Sequence, residues 1–406
     1  MTSTVPAASD APRRVADEDA DLALLTGEGA ADVVGSALVG DDPLPPGLRV
    51  VVAGVHHRPG AGVSVCYEVS HDGAPAPEVV VASTAEPSRH DRTDRVAVLD
   101  DGLRRIRVWR RADDPALPGL RSVLDPAVVA RWLGATDGVR VTLLSYRPTR
   151  RAVVVARTAS ATVYVKVVRP RRAEELVRRH QVLAEAPVPA PRVLDQPEPG
   201  VVVLACAPGR SLAQTLAAGE PVPTADAVLA MLRGLPDAVA TLPRRPSWVD
   251  RLDFHAAAAR SALPSRAGEV AEVAERVTAL LAVLPEPALV PTHGDLNVAN
   301  LFVTDGRPSA LIDVDALGPG HLEDDLATVL AHLAVLPSLA PAQYTGVPAV
   351  LADWLAVLAG AVGARGLLAR TAAVLVSLVA GAAPAQAHAR LDLAVEMLRR
   401  AEGAAA

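Results

Sequence analysis

The segment THGDLNVANLFVTDGRPSALIDVD, residues 292–315, is the most informative part of the sequence. It contains both asparagines of the 406-residue chain, Asn297 and Asn300. The chain has one lysine, Lys166, and all its other basic residues except histidine are arginine. A composition that has nearly eliminated asparagine and lysine has kept them at a few positions, which indicates that their chemistry is needed there.

The spacing of polar residues in this segment is typical of phosphoryl transfer. Asp295 can accept the proton of an attacking hydroxyl, while Asn300 and Asp313 can offer oxygen ligands to magnesium. The Asp-Gly pair at 305–306 predicts a hairpin that brings the Asn300 end close to the Asp313 end. Lys166, in the strand-like run VYVKVV, can place a compact ammonium on phosphates, for which the wider arginine fork is not equivalent.

HGDLNVAN, followed thirteen residues after Asn300 by the aspartate of LIDVD, resembles the signature of the aminoglycoside phosphotransferase and choline kinase superfamily. The resemblance covers residues 140–330 and implies an α+β, protein-kinase-like bilobal fold. An antiparallel-sheet N-lobe and a mainly helical C-lobe are expected. It implies that the protein uses ATP and Mg²⁺, with Asp295 as the catalytic base and Asn300 and Asp313 as magnesium ligands. By the same resemblance, Lys166 binds the α and β phosphates.

The resemblance also implies roles for residues around this centre. The segment VVVLACAPG would be the hinge, where backbone groups between Ala205 and Ala207 meet adenine. His293 is expected to hold the catalytic loop through the hydrogen bonds of its ring. Asp325 resembles the family's aspartate that braces the same loop.

Two features depart from the family pattern. The glutamate that pairs with the lysine is assigned to Glu175, although alignment back from the VPAPRVL segment puts His180 at that position. The phosphate-covering turn, YRPTRRAVVV at 146–155, lacks the usual glycine or serine. Its arginines either contact phosphate or belong to a solvated turn; they are Arg147, Arg150 and Arg151.

The pattern along the chain predicts four parts. Residues 1–20 are small, polar and proline-containing, which is typical of a disordered tail. Strand-like runs separated by turn residues predict an α+β cap domain over 21–138. The kinase N-lobe and hinge follow over 139–207, and the helical C-lobe with the substrate site occupies 208–406. The cap is similar in architecture to those of maltokinase and glucosamine kinase relatives, whose catalytic-loop pattern differs.

Bulk composition limits the partners. A net charge of -6 and a pI near 5.9 give no reason to expect nucleic acid or an acidic membrane surface. The N-terminus lacks a signal-peptide pattern, and the two cysteines lie far apart, so we expect a cytoplasmic protein. The uncharged stretches 326–352 and 371–387 predict buried core helices rather than membrane spans.

These observations predict an ATP- and Mg-dependent phosphotransferase that acts on a hydroxyl of a small molecule. A sugar, an amino sugar or an aminoglycoside-like compound is expected as acceptor, and acidic residues of the 246–282 stretch could form its binding wall; they are Asp250, Asp253, Glu269, Glu272 and Glu275. The alternative is a nucleotide-binding pseudokinase that acts as a binding or regulatory module. The retention of Lys166, Asp295, Asn300 and Asp313 favours the enzyme.

Overall fold

The structure is a computed structural model that describes residues 15–40, 42–57, 60, 62–73 and 76–404. The chain divides into two compact units, one formed by residues 1–174 with 194–204 and the other by 175–193 with 205–406. Antiparallel sheets dominate the first unit and helices the second. The predicted α+β class, with an antiparallel-sheet N-lobe and a helical C-lobe, is confirmed.

The first unit begins with two helices packed on a five-stranded antiparallel sheet of strand order β1-β2-β3-β5-β4. Its elements are α1 (Val15–Thr26), α2 (Ala30–Val39), β1 (Arg49–His57), β2 (Val63–Ser70), β3 (Glu78–Ser83), β4 (Ala97–Asp100) and β5 (Arg105–Arg110). Valines of the central strands pack against Leu25 and Val34 of the helices. The buried Glu18 carboxylate accepts the backbone N–H groups of Gly60 and Gly62, which ties α1 to the β1–β2 turn.

The predicted tail over residues 1–20 needs a correction at its C-terminal end. Residues 15–20 form the first turns of helix α1. This helix is held in place because Leu22 and Leu25, further along it, pack on the sheet. Residues 1–14 lie outside the described part of the chain.

A second five-stranded antiparallel sheet follows in the same unit, with strand order β6-β7-β8-β10-β9. Its elements are α3 (Leu120–Leu124), α4 (Pro126–Leu133), β6 (Arg140–Arg147), β7 (Arg151–Arg157), β8 (Thr162–Val168), β9 (Val193–Asp195) and β10 (Val201–Ala205). Asp125 caps α4 by accepting two backbone N–H groups, and Gly134 ends this helix with a φ of 60°.

The connector before β6 belongs to the core of the second sheet. Leu117, Leu120, Val123 and Val129 are fully buried against the valines of β7, β8 and β10. At Gly119 a Cβ atom would lie 2.3 Å from Val201 Cγ2, so only glycine permits this approach. The predicted domain boundary near residue 138 therefore does not coincide with the boundary between the two cores.

Helix α5 (Pro170–Val182) begins in the first unit and continues in the second. The other helices are α6 (Leu212–Ala217), α7 (Ala225–Arg233), α8 (Leu252–Ala262), α9 (Ala267–Ala282), α10 (Leu322–Leu339), α11 (Val347–Val362), α12 (Ala364–Val379) and α13 (Pro384–Gly403). The strands of the second unit are β11 (Arg210–Ser211), β12 (Val290–Thr292), β13 (Leu301–Thr304), β14 (Arg307–Leu311) and β15 (Gly318–Gly320).

Helices α10 and α12 are buried over most of their length, which confirms that the uncharged C-terminal stretches form core helices. Within the described ranges, no individual helix has both the length and the apolar character that a membrane span requires. Residues 18–26 and 30–39 meet both requirements only when taken together, across a bend of 78°.

Candidate active site

Residues 293–300 form the catalytic-type loop, which connects strand β12 to strand β13 in the second unit. Strand β12 pairs with β15, and β13 pairs with β14 through a turn at Asp305 and Gly306, whose φ angles are 51° and 71°. Two successive positive φ angles are characteristic of the type I′ turn that an Asp-Gly pair favours. The Ile312 N–H donates to the Asn300 carbonyl oxygen at 2.9 Å, so the hairpin brings the Asn300 end next to Asp313, as predicted.

Asp295 is half-buried at the centre of this loop. Its carboxylate oxygen Oδ1 accepts a 3.3 Å hydrogen bond from Trp248 Nε1. Its main-chain carbonyl accepts the Asn300 side-chain amide at 2.9 Å and the Asn297 backbone N–H at 2.9 Å. The loop is thus closed on itself by both asparagines. Trp248 was not among the predicted site residues, because it lies in a different segment and aromatic residues are most often core.

Asn300 and Asp313 have the donor chemistry that a magnesium ion prefers. Because the Asn300 amide nitrogen donates to Asp295, its oxygen Oδ1 is the atom that can act as ligand. Asp313 has a φ of 54°, a left-handed conformation that is uncommon outside glycine and concentrates at functional sites. An amide oxygen and a carboxylate suit a hard cation such as Mg²⁺. No cluster of three or more histidine, cysteine, aspartate or glutamate side chains suited to a metal occurs among the described residues.

His293 and Asp325 hold the loop through hydrogen bonds with its backbone. The Asp325 carboxylate accepts the backbone N–H of His293 at 2.7 Å and that of Gly294 at 2.8 Å. His293 Nδ1 accepts the Asp295 N–H at 3.3 Å, and Nε2 donates to the Ile312 carbonyl at 2.9 Å. Burial lowers the pKa of His293, in keeping with a neutral ring that both donates and accepts. Burial raises the pKa of Asp325 to about 7.

Glycine is required at position 294. Its φ is 78°, and a Cβ atom there would lie 2.5 Å from the Ala316 carbonyl oxygen. The HGD sequence is therefore needed for the backbone geometry that presents Asp295.

Lys166 lies in β8 of the first unit, opposite Val153 of β7, and is 5% exposed. Its neighbours Val165 and Val167 are fully buried in the sheet core. An ammonium group at a buried position requires polar or charged surroundings, since burial without them is costly.

Glu175 lies in the second unit, in α5. Its carboxylate forms ion pairs with Arg179 one turn later and with Arg245, 3.3 Å away. Although burial raises the pKa of Glu175, hydrogen bonds and charge from these arginines lower it overall. Arg179 is 1% exposed and donates to the Leu317 carbonyl at 3.0 Å, which ties α5 to the segment after Asp313. The sequence did not single out this buried arginine.

His180 links α5 to the extended segment that follows it, because its Nδ1 donates to the Pro191 carbonyl at 2.8 Å.

In the expected hinge, Ala205 ends β10 and its N–H donates to the Arg192 carbonyl at 2.9 Å. Ala207 is 9% exposed, and its carbonyl accepts the Cys206 thiol at 3.5 Å. Because the Ala205 N–H is already hydrogen-bonded to Arg192, the carbonyl is the backbone group of Ala205 that can contact a ligand.

A cavity of about 770 Å³ opens in the second unit, and its wall includes the two residues that follow Trp248, Val249 and Asp250. Its polar lining also contains Glu286, His321, Glu323, Arg365 and Arg370. Arg370 is paired with Asp324. The buried His321 Nδ1 has no hydrogen-bond partner among the described residues.

The acidic wall expected between residues 246 and 282 is only partly present in this cavity. Asp250 is the one member of that set that lines it. Glu269 is paired with Arg266, and Glu272 with Arg276, so these charges are already balanced.

No curated protein matches the sequence significantly. Among solved structures, a thermostable mutant of aminoglycoside phosphotransferase APH(4)-Ia in a ternary complex with ADP and hygromycin B is 15% identical, with a TM-score of 0.46 over 68% of this chain and 98% of that one. Spectinomycin phosphotransferase APH(9)-Ia, with ADP and spectinomycin, is 10% identical, with a TM-score of 0.46 over 69% and 99%.

A glucosamine kinase is 16% identical, with a TM-score of 0.40, and its alignment covers 91% of this chain and all of that one. The sequence model of the phosphotransferase enzyme family matches residues 147–357, just over half of the chain and including the whole catalytic-type loop. The chain therefore belongs to the phosphotransferase enzyme family.

Proposed function

We propose that the chain transfers the γ-phosphoryl group of ATP to a hydroxyl group of a small molecule in a Mg²⁺-dependent reaction. The observation that carries this proposal is the position of Asp295. Its carboxylate is fixed by Trp248, its main chain is fixed by Asn300, and the residues after Trp248 line a cavity large enough for a sugar-sized acceptor.

In this mechanism Asp295 is the general base. The acceptor oxygen forms a bond to the γ-phosphorus while the bond from that phosphorus to the β,γ-bridging oxygen breaks, and ADP leaves. The hydroxyl proton passes to the Asp295 carboxylate, whose orientation is set by the Trp248 N–H. Because phosphoryl transfer depends mainly on positioning and charge stabilisation, a fixed carboxylate suits this role.

The donor site follows from the same proposal. Asn300 Oδ1 and the Asp313 carboxylate would hold Mg²⁺, which neutralises negative charge on the phosphates when bound. Lys166 would bind the α and β phosphates. The Ala205 carbonyl and the Ala207 N–H would contact adenine. His293 and Asp325 would keep the loop in place through the hydrogen bonds to its backbone.

The lining of the cavity favours an acceptor with few charges. Carboxylates at Asp250, Glu286 and Glu323 stand with guanidinium groups at Arg365 and Arg370 in one cavity, so the lining has no single strong sign. A polycationic antibiotic would be best served by a uniformly acidic wall. We therefore rank a sugar or amino sugar above an aminoglycoside as substrate.

Two unpaired cysteines, Cys66 and Cys206, support a reducing, cytoplasmic location.

The test is Mg²⁺-dependent ATP turnover by the purified protein against a panel of sugars, amino sugars and aminoglycosides, with the phosphorylated product identified by mass spectrometry. Turnover with a hydroxylated acceptor that is lost in Asp295→Ala supports the proposal. Tight ATP binding without turnover on any acceptor would instead favour the nucleotide-binding pseudokinase.

A further inference from the structure

The turn between β6 and β7 has a backbone conformation that its sequence disfavours. Thr149, in the middle of this turn, has a φ of 59°. A β-branched residue rarely adopts this left-handed region, and it persists only where surrounding contacts hold it. By the sequence resemblance, this turn corresponds to the phosphate-covering loop of the family.

Both backbone polar groups of Thr149 are held by side chains. Its N–H donates to Asp114 Oδ2 at 2.7 Å, and its carbonyl accepts Arg169 Nε at 2.7 Å. Arg169 directly follows β8, the strand of Lys166, whereas Asp114 comes from the connector before α3. The turn is therefore fastened from two different segments of the first unit.

Asp114 is itself rigidly placed. It is 2% exposed, and it also accepts the Tyr146 hydroxyl at 2.7 Å and the Ala116 N–H at 2.9 Å. The Tyr146 oxygen accepts Trp109 Nε1 at 3.4 Å, and Trp109 lies in β5 of the first sheet. One buried carboxylate thus links the first sheet, strand β6 and the turn.

Asp114 lies outside residues 147–357, the segment that matches the family. The second fastening leads to the same N-terminal region, because Arg169 also faces Asp91, with Nη2 3.9 Å from Oδ2. Asp114, which holds the Thr149 N–H, and Asp91, which faces Arg169, thus both lie outside the segment that matches the family.

We propose that Asp114 is a positioning residue for nucleotide binding, which holds Thr149 in its left-handed conformation so that the β6–β7 turn is preorganised for the phosphates of ATP. This inference rests on the proposed function. Asp114 acts through the backbone of Thr149 and does not touch the nucleotide. The connector before α3 thereby sets the affinity for ATP without contributing a catalytic group.

The experiment compares Asp114→Ala with wild type and with a rescue variant. Asp114→Ala should raise the KM for ATP about tenfold, which is the effect of losing one hydrogen bond to a charged group. The kcat and the KM for the acceptor should change by less than about twofold. Thr149→Gly in the Asp114→Ala background should restore most of the ATP affinity, because glycine adopts a positive φ without strain. A purely structural role of Asp114 would not be rescued by this glycine.

Asp113→Asn is the matched control, since Asp113 is adjacent but pairs with Arg95 and Arg121 rather than with the turn. It should leave the KM for ATP unchanged. If Asp114→Ala does not fold, Asp114→Asn serves as the second variant and should show a smaller rise in KM. Backbone hydrogen exchange over residues 147–151 should speed up in either variant.

Calorimetric titration with ADP separates the two proposals. Wild-type protein that binds no ADP would overturn the proposed function, and this inference with it. Equal ADP affinity of wild type and Asp114→Ala, or an absence of rescue by Thr149→Gly, would overturn the positioning role alone.

Discussion

The Asp325 carboxylate accepts the backbone N–H of His293 at 2.7 Å, so the first turn of α10 fixes the start of the catalytic-type loop. Its second oxygen accepts the Gly294 N–H. Asparagine has one acceptor oxygen, so Asp325→Asn should leave a buried N–H without an acceptor. We expect a loss of about 1–3 kcal/mol in the free energy of unfolding, measured by urea denaturation, together with a lower kcat.

Asp353→Asn is the control for this change, because Asp353 is an exposed residue of α11. It should leave both quantities unaltered. An Asp325→Asn protein with wild-type stability and kcat would show that the loop does not depend on this carboxylate.

Asp295→Asn should abolish most of the phosphoryl transfer while ADP binding is retained. The asparagine keeps the size of the side chain and can still accept the Trp248 N–H, but it cannot take a proton. General-base catalysis contributes about 10²–10⁴-fold, so kcat should fall in that range. Steady-state kinetics and ADP titration measure the two effects. Asp305→Asn, in the hairpin turn of the same segment, should be nearly neutral because asparagine also tolerates a positive φ.

Lys166→Arg should keep the charge and the fold but lose at least about tenfold in kcat/KM for ATP, since the guanidinium cannot reproduce the compact ammonium on the phosphates. The reverse exchange at an exposed site of the neighbouring strand, Arg157→Lys, is the control and should have no effect. A fully active Lys166→Arg enzyme would mean that the lysine is an ordinary strand residue.

The pKa of His293 is lowered by burial, so the folded state binds fewer protons than the unfolded state, where the histidine pKa is about 6.5. Its contribution to stability is therefore present above about pH 6.5 and is lost as the pH falls further. Unfolding free energies measured between about pH 8 and about pH 5 should decline more steeply for wild type than for His293→Gln. Parallel curves would contradict a buried neutral imidazole.

His332 needs a separate comparison in the same pH series. Burial lowers its pKa to about 4, so its contribution to stability has the same sign and is lost as the pH falls below about 6.5. His332→Gln should also flatten the curve, but it should leave kcat nearly unchanged, since His332 lies within α10 and outside the loop.

The sequence predicts those parts of the site whose residues are close together along the chain. Asp295, Asn300 and the Asp305–Gly306 turn are found together because their spacing fixes the loop and hairpin. Trp248 lies 47 residues before Asp295, and its hydrogen bond to that carboxylate depends on how the helices pack. No local pattern distinguishes such a tryptophan from a core residue.

The domain limits depend on contacts between residues that are distant along the chain. The sequence predicts a boundary near residue 138, between a short helix and the second group of strands, whereas the burial of Leu117 and Val129 under the second sheet follows from tertiary contacts. Residues 15–20 were assigned to the tail because their apolar residues are few, yet α1 is held by the contacts of Glu18 with the β1–β2 turn. Strand β4 has only four residues, which is too short to give a periodic signal, so the sequence does not predict this strand.

The apolar side chains between Leu117 and Leu133 that pack on the second sheet limit how this protein can be divided or recombined. The recognisable family sequence starts at residue 147, after the apolar side chains that cover that sheet. A gene fragment cut at the family limits would encode a sheet with an uncovered apolar surface, which favours aggregation. The unit of sequence recognition is thus smaller than the unit of folding, and an exchange of kinase segments between proteins would have to carry the two helices before it.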